Sequence, residues 1–234
     1  MNNVHVDIRI MNMVQAKNER RSKIISERPA TVLRHGNLHE ALIAKAEAVI
    51  ETRGLGALRA RDLAAEAGCS VGAIYNVFSD LDGLILEVSA TTLRQIDRTM
   101  AAVRAATPLQ TLLGLAEAYL DYAVTHRLRW DALFSHRMPP GAPHVPWFDE
   151  VKDQAFSHIE APLGDLRPDL DPQARRLLGR SIFAAVHGIV ALGLDQRVAL
   201  IHLPVLRAQI ELVVRAIVHG LPSIKQAEAD LVGL

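Results

Sequence analysis

Cysteine occurs once in this sequence, at Cys69. No intrachain disulfide can form, so the fold must rest on its apolar core rather than on cross-links. No apolar run continues for the roughly 20 residues that a membrane-spanning helix requires. No basic start followed by a long apolar stretch reads as a secretory leader; the expectation is a cytoplasmic protein with no membrane partner. Excess charge is missing as well, since 26 Lys and Arg balance 26 Asp and Glu. That balance removes the overall basic surplus through which attraction to phosphates normally shows. Aromatic residues make up only 4% of the chain, so a place where several gather stands out. No segment alternates in the manner of a strand, and prolines and glycines fall between stretches of helical period. A Gly-rich phosphate loop is absent, and the spacings of Asp121, His126, Asp131 and His136 match neither HExxH nor the paired ExxH pattern of di-iron bundles. The expectation is no enzyme, no cofactor and no metal.

What is present is helix, in a chain of 234 residues that can bury about 70% of its extended surface. Residues 1–36 carry seven bases against three acids in an irregular pattern that suggests a mobile basic arm. A first helix is expected from Asn37, whose amide can cap it, with Leu38, Leu42, Ile43, Ala46, Val49 and Ile50 at helical spacing. Gly54 and Gly56 stop it. A second helix holds Leu63, Ala64 and Ala67 and ends at Gly68, and Ser70 caps a third that runs to Phe78. Leu84, Ile85, Val88, Leu93 and Ile96 mark a fourth. Further helices are expected over 109–124, 127–137, 147–159, 173–194 and 203–218, with a loop over 161–172. The fold class is all-α, with about nine helices.

On the third helix, Val71, Ile74 and Phe78 lie at i, i+3 and i+7 and should face a core. Ser70, Gly72, Ala73, Tyr75 and Asn76 are left toward solvent or whatever replaces it. Small residues at the helix start admit a close backbone approach, and Ala73 can touch a thymine methyl. Asn76 has the donor and acceptor that match adenine N6 and N7, while Tyr75 can donate to a phosphate. Arg59 and Arg61, at the start of the second helix, are candidate phosphate contacts. This is the chemistry of double-stranded DNA recognition by a short helix in the major groove.

The segment GLGALRARDLAAEAGCSVGAIYNVFSDLDGLI resembles the helix-turn-helix of the TetR/AcrR family of transcriptional regulators, over about Asn37 to Leu86. Gly68, Ser70, Gly72, Tyr75 and Phe78 match the family's Gly-x-Ser-x-Gly-x-x-Tyr-x-x-Phe, and Ala60 and Arg61 match its backbone-contacting position. The lysine the family often carries three residues after the phenylalanine is replaced by Leu81, between Asp80 and Asp82. Residues 37–90 hold four bases against eight acids, so affinity must lean on the arm, on base contacts and on two copies. The resemblance implies a DNA-binding domain over 37–86, a helical effector-binding and dimerisation domain over 87–221, and a tail over 222–234. It also implies a homodimeric repressor, released from a palindromic operator by a small, mostly apolar effector.

Aromatics gather in the middle of the chain. These residues could simply fill the core, but the resemblance implies an apolar effector pocket lined by Tyr119, Tyr122, Trp130, Phe134, Met138, Trp147, Phe148, Phe156, Phe183 and His187, with His126, His136, His144 and His158 as further polar fixtures. Leu178, Ile182, Ala185 and Ile189 on one of the last two helices, with Leu206, Ile210, Val213 and Ile217 on the other, are the expected dimer face. The same stripes would suit the core of a single chain. A helical adaptor that binds protein instead of DNA would account for the acidic small domain and for Leu81.

Overall fold

The computed structural model describes residues 29–195 and 201–221, with side chains from residue 37 onward. Most of the basic arm and the whole tail over 222–234 lie outside the described residues. Among the described residues the chain is entirely helical, with nine α-helices and no strand. They are α1 (Pro29–Arg53), α2 (Ala60–Ala67), α3 (Val71–Phe78), α4 (Leu81–Ala101), α5 (Pro108–Thr125), α6 (Arg127–Ser135), α7 (Pro146–Leu166), α8 (Pro172–Leu194) and α9 (Leu203–Gly220). A 3₁₀ turn spans Leu55–Ala57. The chain packs as two units.

The first unit comprises residues up to Ala46 together with Arg59–Leu81. Helix α1 begins at Pro29, well before the expected start at Asn37. A proline at the first helical position loses no hydrogen bond, because that N–H has no partner in any helix. Helices α2 and α3 are in contact, and they bury Leu63, Ala64, Ile74 and Phe78. The Phe78 ring stacks on His39 of α1 at 4.8 Å between centroids. The corner between α2 and α3 is closed by Gly68, whose φ of 66° is the left-handed conformation that glycine adopts without strain. Its consequence is a tight reversal, with the Cys69 N–H donated to the Ala64 carbonyl at 2.9 Å.

The second unit comprises Glu47–Leu58 and the chain from Asp82 onward. Its core joins α4 to α9 through Ile96, Leu112, Leu120, Ile159, Val186 and Val214 among others. Helices α8 and α9 approach so closely that a Cβ at Gly193 would stand 2.5 Å from a Leu206 methyl, and a larger residue would force that buried side chain to shift. Helix α7 continues through Pro162 to Leu166, where a loop is expected from residue 161. Pro162 forfeits one backbone hydrogen bond, but Pro162 and Leu163 are both buried, and packing outweighs the local penalty. Beyond the helix, the buried Arg167 forks onto both oxygens of Asp169 at 2.8 Å and donates to the Leu221 carbonyl at 2.7 Å, fastening the end of α9. By length and composition α8 could cross a membrane, yet Ile182, Val186 and Val190 along it are buried in the protein core.

Candidate nucleic-acid interface and interior cavity

Ser70 sets the register of α3. Its side-chain oxygen accepts the Ala73 N–H at 3.2 Å, a helix cap that satisfies one of the donors left open at any helix start. The string Gly68-Cys69-Ser70-Val71-Gly72 has the letters of a hydrolase nucleophile elbow, which needs a strand before its serine. Here a helix precedes it and the hydroxyl is a cap. With the register fixed, Ile74 and Phe78 turn inward, while Gly72, Tyr75 and Asn76, three or four residues apart, share an exposed face. Tyr75 is 45% exposed, a large aromatic held in water by the chain's own packing. Ala73, expected in solvent, is half-buried. Arg59 precedes the first turn of α2 in extended conformation, and both Arg59 and Arg61 are exposed.

Gly72 is informative for what it does not touch. Among the described residues a Cβ there would meet only the Ser70 hydroxyl oxygen, at an ordinary 3.8 Å, so none of them demands a glycine. Asp82, the acid that follows Leu81, is half-buried with a carboxylate oxygen 3.6 Å from His136 Nε2.

In the second unit a cavity of about 290 Å³ lies among α4 to α8. Of the expected pocket residues, Tyr119, Phe134, Phe148, Phe156 and Phe183 line it. They are joined by the aliphatic Leu93, Ile96, Met100, Leu133 and Ile159, by Ala155, and by Lys152. Tyr122, Trp130, Met138, Trp147 and His187 do not line it. Met138 and Trp147 are exposed, since the prolines around residue 140 carry the chain away from the core. Trp130 and His187 stand behind the cavity wall, on a second and more open recess of about 770 Å³. The Trp130 Nε1–H donates to the Tyr119 oxygen at 2.9 Å, and that oxygen lies 2.7 Å from His187 Nδ1. Indole can only donate, so the phenol oxygen accepts from Trp130, and the same hydroxyl is hydrogen-bonded to His187. Burial pushes the Tyr119 phenol up and the His187 imidazole down, so both are held neutral.

The expected dimer face divides. Ile182, Leu206 and Ile210 are buried within the chain itself, and Leu178, Ile189 and Ile217 pack half-buried against the same core. Ala185 and Val213 are also half-buried. The apolar residues that these helices turn outward are Leu177, Leu192, Leu203, Val205 and Leu212. The apolar spacing of α8 and α9 does not by itself separate the stripe turned to the chain's own core from the stripe turned outward.

Residues 42–88 match the family model of bacterial regulatory proteins of the tetR family, and residues 112–217 match a tetracyclin repressor-like C-terminal domain. The chain belongs to the TetR family. By fold and domains it is a TetR-type transcriptional regulator with a helix-turn-helix. No curated protein matches it. Solved structures with this fold include a protein of unknown function from a Rhodococcus species, with a TM-score of 0.60 at 22% identity over 78% of this chain and 94% of that one. The TetR-family regulator PfmR from Thermus thermophilus gives 0.52 at 17% identity, over 77% and 98%. A tetR-family regulator from Streptomyces coelicolor gives 0.56 at 19%, over 84% and 83%. At these identities the likeness is one of fold.

One feature of this TetR chain had no signal in the sequence. Arg129 of α6 is buried, and its guanidinium reaches Thr92 at 2.9 Å, Thr91 at 2.9 Å and the carboxylate of Glu47. Beside it His126 lies 2.9 Å from Glu51, and the Tyr122 hydroxyl donates to Gln95 at 2.9 Å. Burial pushes the Tyr122 phenol up to about 12. These partners stand 27 to 82 residues apart, beyond the reach of any periodicity. They tie the last two turns of α1 to α4, α5 and α6.

Proposed function

We propose that this protein is a ligand-responsive repressor that binds a palindromic operator as a homodimer in the cytoplasm and is released by a small, mostly apolar effector. The observation that carries the DNA reading is the outer face of α3, where Gly72, Tyr75 and Asn76 remain exposed beside a capped helix start. Tyr75 would brace a phosphate, Asn76 would read an adenine, and Gly72 would let the backbone approach. Arg59 and Arg61 would add phosphate contacts. The DNA-binding segment would then be residues 37–86, and the effector and dimer functions would fall in residues 87–221. A single eight-residue recognition helix offers little contact area, which is the reason to expect two copies on two half-sites.

The cavity among α4 to α8 supports the effector reading, because its walls are apolar and its size is near the lower end of the roughly 300–1,000 Å³ typical of ligand sites. A ligand that fits one packing of these helices better than another shifts the balance between them by its difference in affinity. The Arg129 network would carry that shift to Glu47 and Glu51 in α1. For the dimer, the outward stripe of α8 and α9, with Leu177, Leu192, Val205 and Leu212, would supply exposed apolar surface beside the half-buried Leu178, Ala185, Ile189, Val213 and Ile217.

The test is a gel shift of the full-length protein on duplexes from the DNA flanking its own gene, followed by footprinting. A protected inverted repeat is expected, and a protein indifferent to all such duplexes removes the regulatory reading. The adaptor alternative would then stand.

A further inference from the structure

The interior cavity holds one charged side chain, and that charge says what the cavity can recognise. Among its described walls only Lys152 is ionic; the rest are aliphatic or aromatic apart from the Tyr119 hydroxyl. That hydroxyl is already engaged twice, by the Trp130 Nε1–H at 2.9 Å and by His187 Nδ1 at 2.7 Å. A ligand's polar end must otherwise lose its hydration without compensation, which makes binding unfavourable. Lys152 is the side chain able to compensate it: an ammonium with three donors on a flexible stem.

The surroundings of Lys152 leave it able to turn. Its Nζ lies 5.5 Å from the centre of the Phe148 ring, which faces the cavity. It pairs with Asp149 one turn back on α7, and that carboxylate also meets His144 Nε2. Asp149 therefore keeps a partner when Lys152 moves to a ligand. Asp149 itself is not a wall of the cavity, so a cationic ligand would meet only a like charge. The volume of about 290 Å³ admits roughly ten non-hydrogen atoms at about 30 Å³ for each water-sized group.

We infer that the cavity takes a small amphiphilic carboxylate of about ten non-hydrogen atoms, its apolar body against the wall formed by Phe156 and Phe183 and its carboxylate on the Lys152 ammonium. This rests on the effector reading of the cavity. Octanoate has the required size and charge, and octan-1-ol and octylamine keep the same chain with a neutral and a cationic head.

Calorimetric titration of the full-length protein with these three probes, below their aggregation limits, is repeated on Lys152→Met and Lys152→Gln. Lys152 is partly exposed, and circular dichroism verifies that the variants fold. Octanoate is expected to bind wild type at least tenfold more tightly than octan-1-ol. Both variants are expected to lose that advantage, their octanoate affinity falling by at least tenfold more than their octan-1-ol affinity. An octanoate advantage that is absent, that survives both substitutions, or that is exceeded by octylamine overturns the carboxylate inference and leaves an apolar effector site. Failure of both octanoate and octan-1-ol to bind overturns the effector reading itself.

Discussion

Gly72 occupies an exposed position in an eight-residue helix, where alanine would be the better helix former by about 1 kcal/mol. Its neighbours leave room for a methyl group. Gly72→Ala is therefore expected to raise the unfolding free energy by about 0.5–1 kcal/mol and to weaken operator binding at least tenfold, because the added methyl stands where DNA would approach. Tyr75→Ala, on the same face, should leave circular dichroism nearly unchanged and also cost tenfold or more in affinity. Wild-type gel-shift affinity in both variants would detach this face from DNA. A second residue-level expectation concerns His187, whose folded pKa is lowered by burial. Between that value and the ordinary value near 6.5 the unfolded chain binds the extra proton, so stability is full above about pH 6.5 and falls as the pH drops through the window. His187→Gln should flatten the thermal midpoint against pH between about 7 and 5, and an unchanged slope would assign the acid sensitivity elsewhere.

Elements differ in how openly the sequence declares them. The corner between α2 and α3 was legible because each of its parts is local: a glycine where φ is positive, a serine that caps, and apolar residues three and four apart. Helix α7 was misread at Pro162 because its continuation depends on burial against other helices, which no local pattern reports. The Arg129 network was invisible for the same reason, since its value lies in who meets whom. Of the cavity, the five lining aromatics that the sequence found all lie on core-facing helices, and two other expected pocket residues, Met138 and Trp147, are exposed and flank the proline-rich turn. Removing the guanidinium strands part-buried Glu47 and leaves the Thr91 and Thr92 hydroxyls with one partner fewer. A fully buried pair broken this way costs about 3–5 kcal/mol, and the partial exposure of Glu47 reduces the expectation for Arg129→Ala to about 2–3 kcal/mol. Denaturant midpoints measure this directly, and a loss under about 0.5 kcal/mol would make the network a surface ornament. Arg129→Lys should recover less than half, because a single ammonium cannot fork between Thr91, Thr92 and Glu47.

At the scale of the whole molecule, the two apolar stripes of α8 and α9 must be kept apart. The inner stripe makes the core: Ile210 is 3% exposed and Leu206 fully buried. Among the described residues the outer stripe has no such cover, with Leu192 at 59% and Leu212 at 68% exposure. On α8 the outward positions Leu177, Ser181, Ala184, Gly188 and Leu192 recur at helical spacing and are small in the middle, which suits a close crossing with a second helix. Apolar surface of this kind, repeated on two adjacent helices, is what a two-fold pair would bury into a four-helix face. Substitutions on the two stripes should consequently fail in different ways. Ile210→Asp places an unpaired carboxylate in the core and is expected to unfold the chain, so its loss of activity says nothing about assembly. Leu212→Glu meets water in the single chain and should preserve the helical spectrum, while sedimentation moves from dimer to monomer and operator binding falls with it. If wild type sediments as a monomer at concentrations where it binds DNA, or if Leu212→Glu remains dimeric, the outer stripe is not the face that pairs two copies.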